Sequence, residues 1–233
     1  MGSGFLKKIV FLLLFSGLAL VSFKINFSQL VGNSAQYFTF FQFFGPIAGA
    51  FLGPVAGIYS VLVAQLADFA ILGRQVDAIS LLRVLPMLFA SLYFALFLKK
   101  GSLKDAGIIV PIACIALFVL NPVGMQAWYY SLFWTIPVIA KIFSKNLFLR
   151  SLGATFSAHA VGGAIWVWTV PMTAEQWTLL IPITAAERVL FALGISVSFI
   201  LFNNLLNFVE TRAKTGILHP EKKYLFRAML GLQ

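Results

Sequence analysis

Long apolar runs follow one another through this chain with only short polar breaks between them. They cover 6–23, 37–72, 78–98, 105–120, 124–143, 151–170 and 175–208. A helix needs about 20 apolar residues to cross the hydrocarbon core of a bilayer, and most of these runs are close to that length. Only 10% of the 233 residues are charged and 61% are apolar. Soluble domains carry about 25% charged residues, so there is too little polar surface here to cover so much apolar area in water. A soluble globular enzyme, a disordered chain and a nucleic-acid-binding protein are excluded on that ground. The expected fold is all-α: a polytopic transmembrane bundle of about six to eight membrane helices, two of them short and rich in Gly and Pro. It reads as one integral membrane domain over 1–233, with a basic tail from about residue 209.

The net charge of +10 does not point to nucleic acid, because of where the charges sit. Of the 17 Lys and Arg, 13 fall in four places. These are Lys7 and Lys8; Lys99, Lys100 and Lys104; Lys141, Lys145 and Arg150; and Arg212 through Arg227. Lys and Arg collect on the cytoplasmic side of membrane proteins. With eight crossings all four clusters share that side, and both termini are cytoplasmic in a multi-pass protein of the cell (plasma) membrane. That count requires the apolar region 37–72 to be two short helices, 37–52 and 54–72. Pro54 supports the split, since proline breaks a helix interior but sits well in a first turn. The basic tail also suits anionic lipid head groups of the bilayer. Lys7 and Lys8 before Ile9–Phe23 resemble a signal peptide, but Val21-Ser22-Phe23-Lys24 lacks a small-x-small cleavage site, so the helix reads as a retained anchor. Cys114 is alone, which leaves it a small packing residue.

Gly45, Gly49, Gly53 and Gly57 recur every four residues and would let another backbone approach closely. The plainer reading is helix packing within the chain; the other is a docking surface for a second membrane subunit. This segment, FTFFQFFGPIAGAFLGPVAGIYSVLVAQLADF, resembles the N-terminal part of the substrate-binding S-components of energy-coupling-factor (ECF) transporters. Gly53-Pro54-Val55-Ala56-Gly57 matches the Gly-Pro-x-x-Gly turn that opens the third helix in that family, and Gly45-Pro46-Ile47-Ala48-Gly49 repeats it. The resemblance covers about residues 5–72. The family has six helices, where this chain reads as seven or eight. It implies a binding subunit for a small solute, with a membrane coupling subunit and ATPases as partners.

Ionisable residues inside a span are expensive and mark functional sites by default. Asp68, Arg83, His159, Glu187 and Arg188 lie within spans. The eight-crossing topology places them in the outer half or near mid-depth, at about the level of Trp128, Tyr130 and Trp166. Adjacent helix residues point about 100° apart, so Glu187 and Arg188 are each expected to need a separate partner. Arg83 or His159 would serve Glu187, and Asp68 would serve Arg188. An Asp68 pair with Arg74 or Arg83 would instead be structural, Tyr129 and Trp168 fit an interfacial belt, and His159 alone fits a hydrogen-bonded core residue. Taken together, Asp68, Arg83, Trp128, Tyr130, His159, Trp166, Glu187 and Arg188 outline a solute pocket capped by the loop 24–36.

No Ser-His-Asp set, HExxH, Walker A lysine or close acidic pair is legible, so no catalytic residue, metal or cofactor is expected. The reading is a membrane subunit that captures a vitamin- or metabolite-like solute from outside and is energised by a partner. The alternative is an intramembrane enzyme or assembly factor using Glu187, Arg188 and His159. A gradient-driven permease would show two related halves, and no internal repeat is visible.

Overall fold

The computed structural model describes residues 12, 15–29, 37–72, 77–97, 103–142, 146–213 and 220–231. Nearly all of them are helical, in keeping with the all-α class. Among the described residues, three helical stretches are long and apolar enough to cross a membrane: Pro54–Ile71, Ala78–Leu96 and Ala174–Arg212. Their outer faces carry exposed apolar stripes, such as Val55, Tyr59 and Val63 on one and Leu193, Val197, Leu201 and Leu205 on another. Stripes of this size belong against lipid rather than water. The chain is a membrane protein.

The first helix, α1, is helical over 15–23. It buries Phe15, Ala19 and Phe23, with Phe15 edge-on to Phe41 and Phe44. The polar segment after it supplies a strand, β1 (Asn26–Gln29), which pairs antiparallel with β2 (Tyr37–Thr39). Register runs Ser28 to Phe38 and Gln29 to Tyr37, with an irregularity between Asn26 and Ser28.

The expected short helix over 37–52 is corrected here. The segment begins as β2, continues as 3-10 turns at Phe40–Phe43 and Gly45–Ile47, and is α-helical only in α2 (Ala48–Leu52). Pro46 removes a donor. Phe41 and Phe44 turn onto α1, while Phe43 packs edge-on against Phe191 in the long C-terminal helix. The break before Pro54 is where the sequence placed it. Gly53 ends α2 with φ +84°, a left-handed conformation that favours glycine, and α3 (Pro54–Leu72) starts at the proline.

Two other expected spans are interrupted. The run 78–98 splits into α4 (Ala78–Leu82) and α5 (Leu85–Leu96), with Pro86 in the first turn of α5. Asp77 caps α4 in a reciprocal box with Ser80, and the Ser80 backbone N–H holds the Asp77 carboxyl below its usual range. The run 124–143 splits into α7 (Pro122–Gln126), a 3-10 stretch Trp128–Thr135 and α8 (Ile136–Ile142). Between them lies α6 (Leu103–Val119). At the centre is α9 (Leu147–Thr169), which packs against α5, α6, α8 and α10. Its small and hydroxyl residues, among them Ser151, Gly153, Ala154, Ser157 and Ala160, are buried and allow that close approach.

The last long helix, α10 (Ala174–Ala213), is continuous through Pro182. Its 40 residues span about 60 Å at 1.5 Å per residue, twice the thickness of a hydrocarbon core. It runs antiparallel to α9, since Ser151 meets Ser196 while Thr155 meets Arg188. The helix passes the point where the basic tail was expected to begin. The chain then returns, and α11 (Phe226–Met229) ends the described part. Asn203 holds Glu221 by both its backbone N–H and its carbonyl, and Asn204 does the same for Phe226 N–H and Tyr224 carbonyl. Arg150, at the start of α9, adds an ion pair with Glu221 at 3.3 Å.

The glycine stripe is occupied by the chain itself. A methyl group on Gly49 would strike the Ser91 carbonyl in α5, and one on Gly57 would strike the Gly49 backbone. A methyl group on Gly45 would press on Met87 and Phe41. Gly45, Gly49 and Gly57 therefore bring the 3-10 turns, α2, α3 and α5 together, and Gly53 makes the bend.

Candidate functional site

A cavity of about 160 Å³ opens between β1–β2, the start of α5, the 3-10 stretch, the C-terminal half of α9 and the N-terminal half of α10. Six of the eight expected pocket residues line it: Arg83, Tyr130, His159, Trp166, Glu187 and Arg188. Two do not. Asp68 is buried on α3 and contributes nothing to the cavity wall. Trp128 is 53% exposed and packs edge-on to Tyr129, on the outer surface where an interfacial aromatic sits. Trp168 is likewise exposed and donates its indole N–H to the Leu117 carbonyl.

The adjacent charges on α10 pair with each other, contrary to the expectation of separate partners. Arg188 Nη2 lies 3.4 Å from Glu187 Oε2. Both side chains are long enough to curl around the helix and close the angle between their Cα–Cβ bonds. Each still has a second contact of its own. Ser28 of β1 donates to Glu187 Oε1 at 2.5 Å, which ties the hairpin to α10. Arg188 donates to Thr155 at 3.5 Å, and its guanidinium lies 4.7 Å from the ring centres of both Phe38 and Phe191. Two aromatic faces around a desolvated guanidinium are a favourable arrangement. Neither His159 nor Arg83 serves Glu187, and Asp68 does not serve Arg188.

His159 is held on both sides. Trp134 Nε1 donates to its Nδ1 at 2.9 Å, and Tyr130 Oη lies 3.1 Å from its Nε2. An indole N–H can only donate, so Nδ1 must accept, and a neutral imidazole then carries its proton on Nε2. His159 Nε2 then donates to Tyr130 Oη, which is also hydrogen-bonded to Thr184 Oγ1 at 2.8 Å. His159 is a neutral post in the wall, with no nitrogen left for a base's work.

Several wall residues were not singled out from sequence: Gln29 and Phe38 from the hairpin, Gln65, Trp177 and Thr184. Two of the lining residues each carry a fully buried donor that lacks a hydrogen-bond partner: Arg188 at Nε and Trp177 at Nε1. A buried polar group without a partner costs about 1–3 kcal/mol. The signal for Trp177 and Thr184 was present. Trp177, Leu180, Thr184 and Glu187 recur at three- and four-residue spacing, the signature of one helix face. Of that face the sequence analysis names only Glu187; a threonine and a tryptophan in an apolar run are too ordinary to stand out.

The chain matches no protein-family model, no curated protein and no solved structure.

Proposed function

We propose that this chain is a multi-pass plasma-membrane protein of six to eight crossings that captures a small solute from the outside and hands it to a partner-driven transport step. The observation that carries this reading is the cavity itself. Aromatic walls with a few oriented polar groups are the usual make-up of a small-molecule site, and Arg83, Tyr130, His159, Trp166, Glu187 and Arg188 converge on one.

The side of entry rests on charge. The cavity takes the C-terminal half of α9 and the N-terminal half of α10. Arg150, in the first turn of α9, and Arg212, in the last turn of α10, lie at the opposite end of that antiparallel pair. With basic ends in the cytoplasm, the cavity faces outward and both termini face inward. The sequence resemblance to ECF S-components rests on Gly53-Pro54-Val55-Ala56-Gly57, the segment in which α3 begins. On that resemblance the partners are a membrane coupling subunit and ATPases.

Purification from native membranes in mild detergent, followed by native mass spectrometry, tests the reading. A small-molecule adduct and co-purifying ATPase subunits are expected. A bare chain with neither adduct nor subunits, and with no thermal shift across a broad metabolite panel, contradicts it.

A further inference from the structure

The C-terminal return, 220–231, is pinned to the bundle along its first half only. Asn203 holds the backbone of Glu221, Asn204 holds Tyr224 and Phe226, and Arg150 pairs with Glu221. Tyr224 packs edge-on against Phe199. The last of these bonds is at Phe226. Beyond it α11 has four residues, far too few to hold a helix by backbone bonds alone. Phe226, Met229 and Leu230 stand three and four residues apart, so they share one helix face. That face is open: the three are 47%, 50% and 71% exposed.

The height of this face along the bundle puts it at a bilayer surface. Ser196 of α10 bonds Ser151 of α9. From Ser151 back to Leu147, the first residue of α9, is about 6 Å of rise, and from Ser196 on to Asn203 and Asn204 is about 10–12 Å. The two asparagines therefore hold the return just past the end of α9. The 23 residues of α9 are about 35 Å long, close to the ~30 Å of a hydrocarbon core. Beside the return, the exposed stripe of α10 continues through Leu201, Leu205 and Phe208, so the lipid-facing surface runs on to the same level.

Charge completes the pattern. Lys222, Lys223 and Arg227 are exposed around the apolar face. The one acid in 220–231, Glu221, is taken by Arg150. Lys222 and Arg227 make no ion pair among the described residues. An apolar face rimmed by uncompensated cations is the make-up of a segment that lies in the plane of an anionic membrane surface.

We propose that residues 222–230 form an interfacial anchor for anionic phospholipid at the basic end of the bundle. Phe226, Met229 and Leu230 enter the acyl boundary, and Lys222, Lys223 and Arg227 meet the head-group phosphates. Through Asn203, Asn204 and Arg150 the seated segment is joined directly to α10 and α9.

Amide hydrogen exchange of the full-length protein tests this, in nanodiscs of phosphatidylcholine alone and in nanodiscs that also contain phosphatidylglycerol. A cation near an anionic surface adds roughly fivefold to partitioning, so residues 225–231 should exchange roughly fivefold or more slowly with phosphatidylglycerol present. Lys222→Gln/Lys223→Gln/Arg227→Gln should abolish the difference between the two lipids. Phe226→Ser/Met229→Ser should abolish the slowing as well, although it keeps every charge. All these side chains are exposed, and unchanged protection of α9 in each variant shows that the bundle has folded. Equal exchange of the parent in both nanodiscs overturns the anchor and leaves the face to a protein partner. Slowing that survives the loss of Phe226 and Met229 also overturns it, since surface charge alone would then be acting.

Discussion

At the residue scale, His159 sits between Trp134, which fixes its tautomer, and Tyr130, which passes the hydrogen bond on to Thr184. Tyr130 is the middle of that relay and is 1% exposed. Tyr130→Phe keeps the ring but strands the His159 N–H and removes the hydrogen bond to Thr184. The expected cost is about 1–3 kcal/mol, read as a lower Tm or a lower denaturant midpoint in nanodiscs. Glu187→Gln tests a different bond. Glutamine keeps an acceptor for Ser28 and removes the charge paired with Arg188. The variant is expected to insert and fold yet to lose most solute-induced stabilisation, because Arg188 is no longer held in place by a fixed countercharge. The sequence revealed these charges readily, since an ionisable group in an apolar run stands out. It did not reveal their partners. Glu187 and Arg188 looked incompatible as neighbours only while side chains were treated as rigid spokes. Asp68 and Trp128 carried the same kinds of signal as the true wall residues, but one faces the packing between helices and the other faces out.

Helices and turns show where local sequence decides and where packing does. Gly53-Pro54 was legible because one residue supplies a positive φ and the next cannot continue the preceding helix. The segment before it was not, because its phenylalanines have two destinations, α1 and Phe191 on α10. Pro182 sits inside α10 without ending it, as membrane helices tolerate when neighbouring groups re-satisfy the freed backbone. The eight-residue 3-10 stretch was likewise unreadable, since Trp and Tyr there fit a helix equally well; it turns Tyr130 and Trp134 onto α9. The glycine contacts make a sharp prediction. Gly49→Ala should lower Tm strongly, because its methyl group meets the Ser91 backbone, whereas Gly17→Ala, with open space around it, should be neutral or slightly stabilising. Equal effects at both positions contradict close approach of α2 and α5. The C-terminal segment gives another. Asn203→Ala removes both bonds to Glu221 and should speed amide hydrogen exchange in residues 221–226 while leaving α9 protected.

For the whole molecule, the apolar outer stripes and the central, small-residue α9 make one arrangement: lipid outside, close-packed polar contacts within. The lipid-facing character was legible from hydropathy; the central place of α9 was not, because its small and hydroxyl residues carry no strong local signal. The cavity was legible only in part, because its wall draws on six separate parts of the chain that no local pattern links. Its role as a solute site is the central claim, and Gly162 offers the most direct test. Gly162 lines the cavity, and a Cβ there would meet only Pro86, at an ordinary 3.7 Å. Gly162→Leu should therefore fold, helped by better helix propensity, while its side chain grows into the space the solute needs. Native mass spectrometry of the parent and of Gly162→Leu, purified side by side, is the measurement. A small-molecule adduct on the parent and none on a folded Gly162→Leu is the predicted result; an adduct on both at equal occupancy, or on neither, contradicts solute capture in this cavity.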